Sequence, residues 1–322
     1  MNVLVLTMLE GDQKMSKGCF EEFVIGIYRK ELVGQLELGN IPWFSDRNIT
    51  VFGIEDINII SGLPYHGITK LALIMSRASN HFLSYKWVSF RQADSRGWRI
   101  GKKIGTPVLY WKPTTKMIKS NVFVGGVTKK MYKNVIGSEG RSYYVYNIGE
   151  MGNVPAYQKT TKPVFSDDSI GERCGRIVDD FIDCPTIDNG YEKAAYSPVG
   201  DLIGMPRWTD YTNITKYYQA LFHELIHSTG NIGRLNRELW RSNTITHLYS
   251  EEELIADIGT LFLCSMAGIE LPKYIGNRGD YIAYWMPRFR KDKDLLVKVA
   301  SRASAAVRYV LNEIDIFGNL LS

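Results

Sequence analysis

The sequence predicts an α+β chain of two domains, a mixed α/β first half followed by a mostly helical second half. Three observations predict it. The first is charge. The 322 residues carry a net +5, but residues 1–160 hold 21 Lys/Arg against 12 Asp/Glu, and residues 161–322 hold 18 against 22. A basic half joined to a slightly acidic half favours two modules with different partners. The second is a set of strand-like runs in the first half: 107–111, 121–124 and 142–147. The third is a series of helical patterns with start and stop residues that begins only after position 168. At 45% hydrophobic and 23% charged the chain is ordinary globular protein.

Taken in order, the apolar opening Met1–Leu9 meets Glu10 and Asp12 at once and has no basic start. It reads as a buried strand rather than a signal peptide. No apolar run approaches the ~20 residues of a bilayer-spanning helix. Residues 67–75 and 87–94 read as short helices. Residues 151–172, polar and holding Pro155 and Pro163, are the best linker candidate. The expected domains are therefore 1–155 and 173–322, with 156–172 between them. In the second half, 169–182 is amphipathic and 196–206 reads as a short strand pair. Helices are expected over 213–229, over 251–267 with Gly268 as the stop, and then over 281–290 and 294–312. The four cysteines form no C-x-x-C pair, which suggests reduced thiols in a cytoplasm.

The most informative stretch is His223-Glu224-Leu225-Ile226-His227, an H-E-x-x-H pattern within a helix. Residues four apart on a helix share a face, so both imidazoles can grip one metal ion while Glu224 serves as general base. A buried helix with incidentally spaced histidines is the bland alternative. A catalytic zinc needs a third protein ligand. The helix after Ser250 offers Glu251, Glu252, Glu253 and Asp257. Glu253 is chosen as the ligand, with Asp257 accepting the second N–H of His223 or His227. Ser250-x-x-Glu253 is also a capping box, which would occupy the glutamate instead. Glu251 and Glu252 read as solvated charges at the helix start. His247 reads as an exposed loop residue. The cofactor implied is Zn²⁺, although His/His/carboxylate also suits Mn²⁺ or Co²⁺. Such an ion lowers the pKa of a bound water toward ~7, and Glu224 then takes and delivers the proton, which is the chemistry of peptide-bond hydrolysis.

From Lys86 to Lys133 twelve Lys/Arg face a single acid, Asp94, and aromatic residues are interleaved among them. A single-stranded nucleic-acid groove needs this combination, cations for phosphates and aromatic faces for unpaired bases. The candidates are Lys86, Trp87, Arg91, Arg96, Trp98, Arg99, Lys102, Lys103, Lys112, Lys129 and Lys130. A solvated basic face over an ordinary core would give the same composition. No helix-turn-helix, zinc-finger or RRM signature appears, and the first half shows neither a P-loop nor a carboxylate pair for nucleotidyl transfer.

A resemblance to a family joins these features. Pro42-Trp43, Asn58 to Ile68, Trp87 to Ala93, Gly97 to Gly105 and Tyr144 to Asn147 resemble the motifs of ArdC-type antirestriction proteins and the N-terminal region of TraC-type primases. So do Asp201 to Pro206, Tyr217-Tyr218, His223 to Gly230, Arg234-Leu235, Tyr249 to Asp257 and Tyr281 to Trp285, all in the family's order. The run Glu253 to Thr260 resembles the third-ligand helix of thermolysin-like gluzincins. The chain departs from the pattern at Phe44 to Thr50, which lacks a second Pro-Trp, at Thr69 and at Asp257. The resemblance implies a single-stranded-DNA-binding domain followed by a zincin-like metallopeptidase domain, carried by a phage or plasmid and protecting incoming DNA in the host cytoplasm. The partners implied are single-stranded DNA and a protein, either a substrate or a replication polymerase; in the second case the metal site is structural or vestigial. No membrane is implied.

Overall fold

The computed structural model describes residues 17–42, 55–80, 82–100, 105–124, 127–155, 169–237, 251–269 and 278–314. The expected strand at 1–9, Trp43, His81, Lys102, Lys103, His247 and Ser250 lie outside them.

Helix α1 (Lys17–Glu37) opens the described chain. Val24, Tyr28, Leu32 and Leu36, one turn apart, form its buried face. No helical period stands out over this stretch of sequence because apolar residues also occupy the other faces. Strand β1 (Ile57–Asn58), helix α2 (Gly67–Asn80), strand β2 (Lys86–Ser89) and helix α3 (Phe90–Asp94) follow. The expected helix over 87–94 is corrected in its first half. Trp87 and Val88 lie buried in a strand, and the helix starts only at Phe90, where Ser89 and Gln92 form a capping box.

The three expected strand runs merge into two long strands, β3 (Thr106–Val124) and β4 (Val127–Asn147). They pair antiparallel without interruption from Thr106↔Val145 to Val124↔Val127. The sheet order is β1-β2-β4-β3, with β1 parallel to β2. β2 meets β4 only at residues 145–147, so beyond that point the hairpin runs on as a two-stranded ribbon. Thr69 stitches α2 to β3 by donating to the Leu109 carbonyl at 2.7 Å and accepting the Leu109 N–H at 3.1 Å.

Within the 151–172 stretch, Met151 and Val154 are buried with Trp98 and Val88, and helix α4 (Ile170–Asp179) begins at Ile170, capped by Ser169 and Glu172. Strands β5 (Thr186–Asn189), β6 (Ala195–Ser197) and β7 (Leu202–Met205) make a small sheet of order β5-β7-β6, which leaves β6 at an edge. Four helices complete the fold: α5 (Ile214–Ser228), α6 (Glu251–Ala267), α7 (Arg278–Lys291) and α8 (Leu295–Val310). Among the described residues no helix is long and apolar enough to cross a membrane.

The main hydrophobic core runs through both halves. Val24, Leu32, Leu71 and Ile74 belong to the same buried cluster as Phe262, Trp285 and Val299. The Lys70 ammonium, itself buried, lies 5.2 Å from the centre of the Phe262 ring.

A buried charge pair anchors the first sheet. Asp56 accepts from Trp87 Nε1 at 2.6 Å and Arg77 Nη2 at 3.1 Å. Burial pushes the Asp56 carboxyl up, against the pull of Arg77 and Trp87. Removing one partner of such a pair strands the other charge. Arg77→Ala is therefore expected to destabilise the protein by about 3–5 kcal/mol in urea unfolding. Arg77→Met combined with Asp56→Asn should cost clearly less.

Candidate metal centre

Helix α5 begins at an N-cap, Asn213, whose side chain accepts the Lys216 N–H at 3.0 Å. Leu221, Phe222, Leu225 and Ile226 bury its apolar face. His223 and His227 stand one turn apart on the face turned to α6. That helix is buried almost all round and brings Glu252, Glu253 and Asp257 in its first two turns.

The two helices touch closely at one point. A Cβ built on Gly259 of α6 would lie 2.8 Å from Ile226 Cγ1 and 2.9 Å from Cδ1 and Cγ2. Only glycine allows this approach without displacing Ile226. The contact locks α5 against α6 beside the two histidines.

Three ligand atoms converge there. His223 Nε2 and His227 Nε2 are 3.0 Å apart. Glu253 Oε2 lies 3.3 Å from the first and Glu253 Oε1 3.5 Å from the second. One ligand atom from each residue falls within 4.8 Å of the others. The Glu253 carboxylate thus faces both imidazoles, the arrangement expected of the ligand, while its capping partner Ser250 lies outside the described residues.

Each imidazole is backed by a second carboxylate. Asp257 Oδ1 is 3.6 Å from His223 Nδ1, and Asp257 Oδ2 accepts from the Tyr281 hydroxyl at 3.1 Å. Glu252 Oε1 is 3.4 Å from His227 Nδ1. This corrects the expectation that Glu252 is a solvated charge. Its side chain is 3% exposed and is held by Arg237, because its position faces the α5 C-terminus rather than water. Glu251 is at the surface, paired with Arg302 at 3.0 Å.

The cluster is built to hold positive charge. Burial works against charged imidazoles, but Glu253, Glu252 and Asp257 outweigh it, and both histidines are more basic than usual. Burial likewise resists ionisation of Glu252 and Glu253, yet Arg237 with His227 holds the Glu252 carboxyl, and the two histidines hold that of Glu253, below the usual range. Asp257 is pushed up to about 6 by burial, against the pull of His223. A divalent cation can replace the protons that this carboxylate-rich pocket retains.

Glu224 is buried and fixed from the small sheet. The Tyr196 N–H on edge strand β6 donates to Glu224 Oε2 at 2.8 Å. Tyr196 is itself tied down, donating from its hydroxyl to Asp201 at 2.8 Å and accepting from Asn231 at 2.7 Å. Sequence reasoning missed Arg237, Glu252 and Tyr281 as supports and Gly259 as a spacer.

The nucleic-acid candidates divide. Arg91, Arg96 and Arg99 are exposed around α3 and the turn after it. Lys86 is half-buried on β2, with its ammonium 5.5 Å from the centre of the Tyr85 ring. Trp87 and Trp98 are corrected to core residues. Trp87 is fully buried with its indole N–H on Asp56, and Trp98 packs with Val88, Ala93 and Ile100, so neither offers a face to a base. Phe90, 56% exposed beside Arg91, is the aromatic available there. Lys112, Lys129 and Lys130 lie in the β3–β4 ribbon.

Known families match both halves. Residues 28–146 match the N-terminal domain of anti-restriction factor ArdC, and residues 179–302 match a zincin-like metallopeptidase. The chain joins an ArdC N-terminal domain to a zincin-like metallopeptidase domain. It is 26% identical over 300 residues to a DNA primase TraC of Escherichia coli, covering 88% of this chain but 26% of the primase. It thus spans about a quarter of that relative's length. An uncharacterized protein, y4eC, of Sinorhizobium fredii is 24% identical over 279 residues, covering 85% of this chain and 86% of its own. The fold is that of the crystallised antirestriction protein ArdC from plasmid R388. The metal-free ArdC structure matches with a TM-score of 0.65 at 24% identity, over 91% of this chain and 96% of that one. The Mn(II)-bound form matches with a TM-score of 0.66 at 23% identity, over 89% and 96%.

The Gly259 contact gives a direct prediction. Gly259→Ala should destabilise the protein although alanine gains about 1 kcal/mol of helix propensity, because overpacking costs about 1–3 kcal/mol. The same substitution should weaken divalent-metal binding. Adding Ile226→Ala should restore part of the binding, as read by calorimetric metal titration.

Proposed function

We propose that this ArdC-type protein binds single-stranded DNA through its basic first half and carries a divalent-metal peptidase centre in its second. It acts in the cytoplasm of a bacterial host in antirestriction, protecting DNA that a plasmid or phage brings in. The convergence of His223 Nε2, His227 Nε2 and the Glu253 carboxylate supports the metal assignment. Two imidazoles and one carboxylate make the three-ligand set of a catalytic zinc site, and Mn²⁺ or Co²⁺ also suits it.

A cation bound there supplies Lewis-acid activation of a carbonyl and of water. Glu224, on the same helix and held by the Tyr196 N–H, takes the proton of the attacking water and passes it to the leaving amine. Glu252 accepts from His227 Nδ1 at 3.4 Å, and the Asp257 carboxylate backs His223 Nδ1 at 3.6 Å, which turns both Nε2 atoms to the ligand side. The Asp201–Tyr196 anchoring of β6 holds Glu224 in register with the pair of histidines.

The strand register supports the nucleic-acid assignment. Cross-strand partners share a face of a ribbon. The pairs Val122↔Lys129, Ile118↔Lys133, Lys116↔Val135, Lys112↔Glu139 and Tyr110↔Arg141 therefore put five cationic positions and one acidic position on one face. Lys119 and Lys130 fall on the other. A row of cationic positions along a two-stranded ribbon suits a phosphate backbone, and Arg91, Arg96 and Arg99, exposed around α3, add positive charge to the same half.

The TraC match favours a second reading. There the matching region makes up about a quarter of a longer primase, which suits a module that recruits a polymerase to exposed strands and keeps its metal site for structure.

Three measurements test these assignments. The zinc-loaded protein should cleave casein or a DNA-bound protein, and Glu224→Ala should abolish cleavage while retaining zinc; equal inactivity of both supports the recruitment reading. Apparent zinc affinity should rise from mildly acidic to mildly alkaline pH, since the imidazoles release protons on loading. Lys116→Glu with Lys133→Glu should weaken oligonucleotide binding and flatten its salt dependence, by roughly 0.7 in slope for each phosphate no longer neutralised. An unchanged slope would remove the ribbon from the interface.

A further inference from the structure

Arg237 follows α5 by nine residues and closes over the metal side of the helix. Its side chain is 7% exposed. Nε donates to Glu252 Oε2 at 2.8 Å and Nη2 to Glu252 Oε1 at 2.5 Å, a two-point fork. Nη1 also donates to Thr229 Oγ1, and Nη2 to the Ile226 carbonyl, both at 2.7 Å. One guanidinium therefore ties the C-terminal end of α5 to the first turn of α6. The carboxylate it grips is the one 3.4 Å from His227 Nδ1.

The two histidines are supported by different chemistry. His223 rests on Asp257, which a neutral hydroxyl from Tyr281 holds. His227 rests on Glu252, which a buried cation holds. A bare carboxylate beside a divalent site would be free to swing in as a competing ligand or to fold away from the imidazole. With Arg237 on both its oxygens it can do neither, and the Arg237–Glu252 pair adds no net charge to the site.

We infer that Arg237 is a positioning residue for the metal centre: it locks Glu252 as the acceptor of the His227 Nδ1 proton and so presents His227 Nε2 to a divalent cation. The inference rests on the metal-site reading above. Arg237 contacts neither cation nor substrate and acts through Glu252 and His227 alone.

Arg234 supplies the control. It lies in the same segment, its side chain is equally buried at 7% exposed, and it makes its own two-point pair with Asp201 at 2.7 and 2.8 Å. Its other bonds go to the Asp183 and Ser228 carbonyls, not to Glu252.

The experiment strips the full-length protein of metal and titrates Zn²⁺ in competition with a chromophoric chelator, with folding followed by circular dichroism. Arg237→Met should lower zinc affinity about 10–100-fold, the usual cost of losing a residue that orients a ligand. Arg234→Met should leave it near the wild-type value. Arg237→Met/Glu252→Gln should recover part of the loss, because an amide oxygen accepts the Nδ1 proton without a counter-cation. If Arg237→Met does not fold, Arg237→Lys keeps the charge but not the fork and should still lose affinity severalfold. Wild-type zinc affinity in the folded Arg237 variant overturns the inference, as does an equal loss in the Arg234 and Arg237 variants. If wild type and His227→Ala bind zinc equally, the metal-site reading itself fails, and the role of Arg237 falls with it.

Discussion

The contact between Ile226 and Gly259 is the constraint on which the rest of the metal half depends. Two helices carrying this many acidic and imidazole groups gain little from bringing them together unless something else fixes the distance. Apolar packing does so. Ile226 on α5 packs on the bare Gly259 of α6, and Leu225, Ile255 and Ile258 lie fully buried in the same cluster. Burying each such side chain contributes about 1.5–3 kcal/mol. That packing sets the distance at which the histidines and carboxylates meet.

The polar layer above that contact is arranged in rings. The inner ring is His223, His227 and Glu253. The outer ring is Asp257 with Tyr281 and Glu252 with Arg237, while Glu224 is held separately from the edge of the small sheet by Tyr196. Support therefore reaches the site from α5, α6, α7, strand β6 and the segment after α5. The Lys70–Phe262 contact and the shared core bring the first half to the back of α6, so the basic half and the helical half are packed as neighbours.

Much of this was legible in the sequence because it follows from short-range rules. H-E-x-x-H on a helix puts two imidazoles on one face, and Asn213, Ser169 and Gly268 mark helix ends by their capping chemistry. The strand runs were visible from alternation and β-branching. What escaped was set by tertiary contacts. Glu252 carries no mark in sequence that separates it from its exposed neighbour Glu251; only the position of Arg237 across the helix pair decides which is buried. Trp87 and Trp98 read as stacking faces by their basic neighbours, yet Asp56 and the core around Val88 claim them. The continuity of β3 with β4 was hidden because polar residues separate the apolar runs that alternation picks out.

A cation bridging two imidazoles and one carboxylate is the feature on which the functional reading stands, and X-ray absorption at the zinc edge tests it most directly on the loaded full-length protein. Two imidazole nitrogens are expected at about 2.0–2.1 Å, one carboxylate oxygen at about 2.0–2.2 Å, and a further light-atom ligand beside them. Imidazole scattering should disappear in His223→Ala/His227→Ala. A spectrum without imidazole scattering in the wild type, or one unchanged by that double substitution, would contradict the bridging cation.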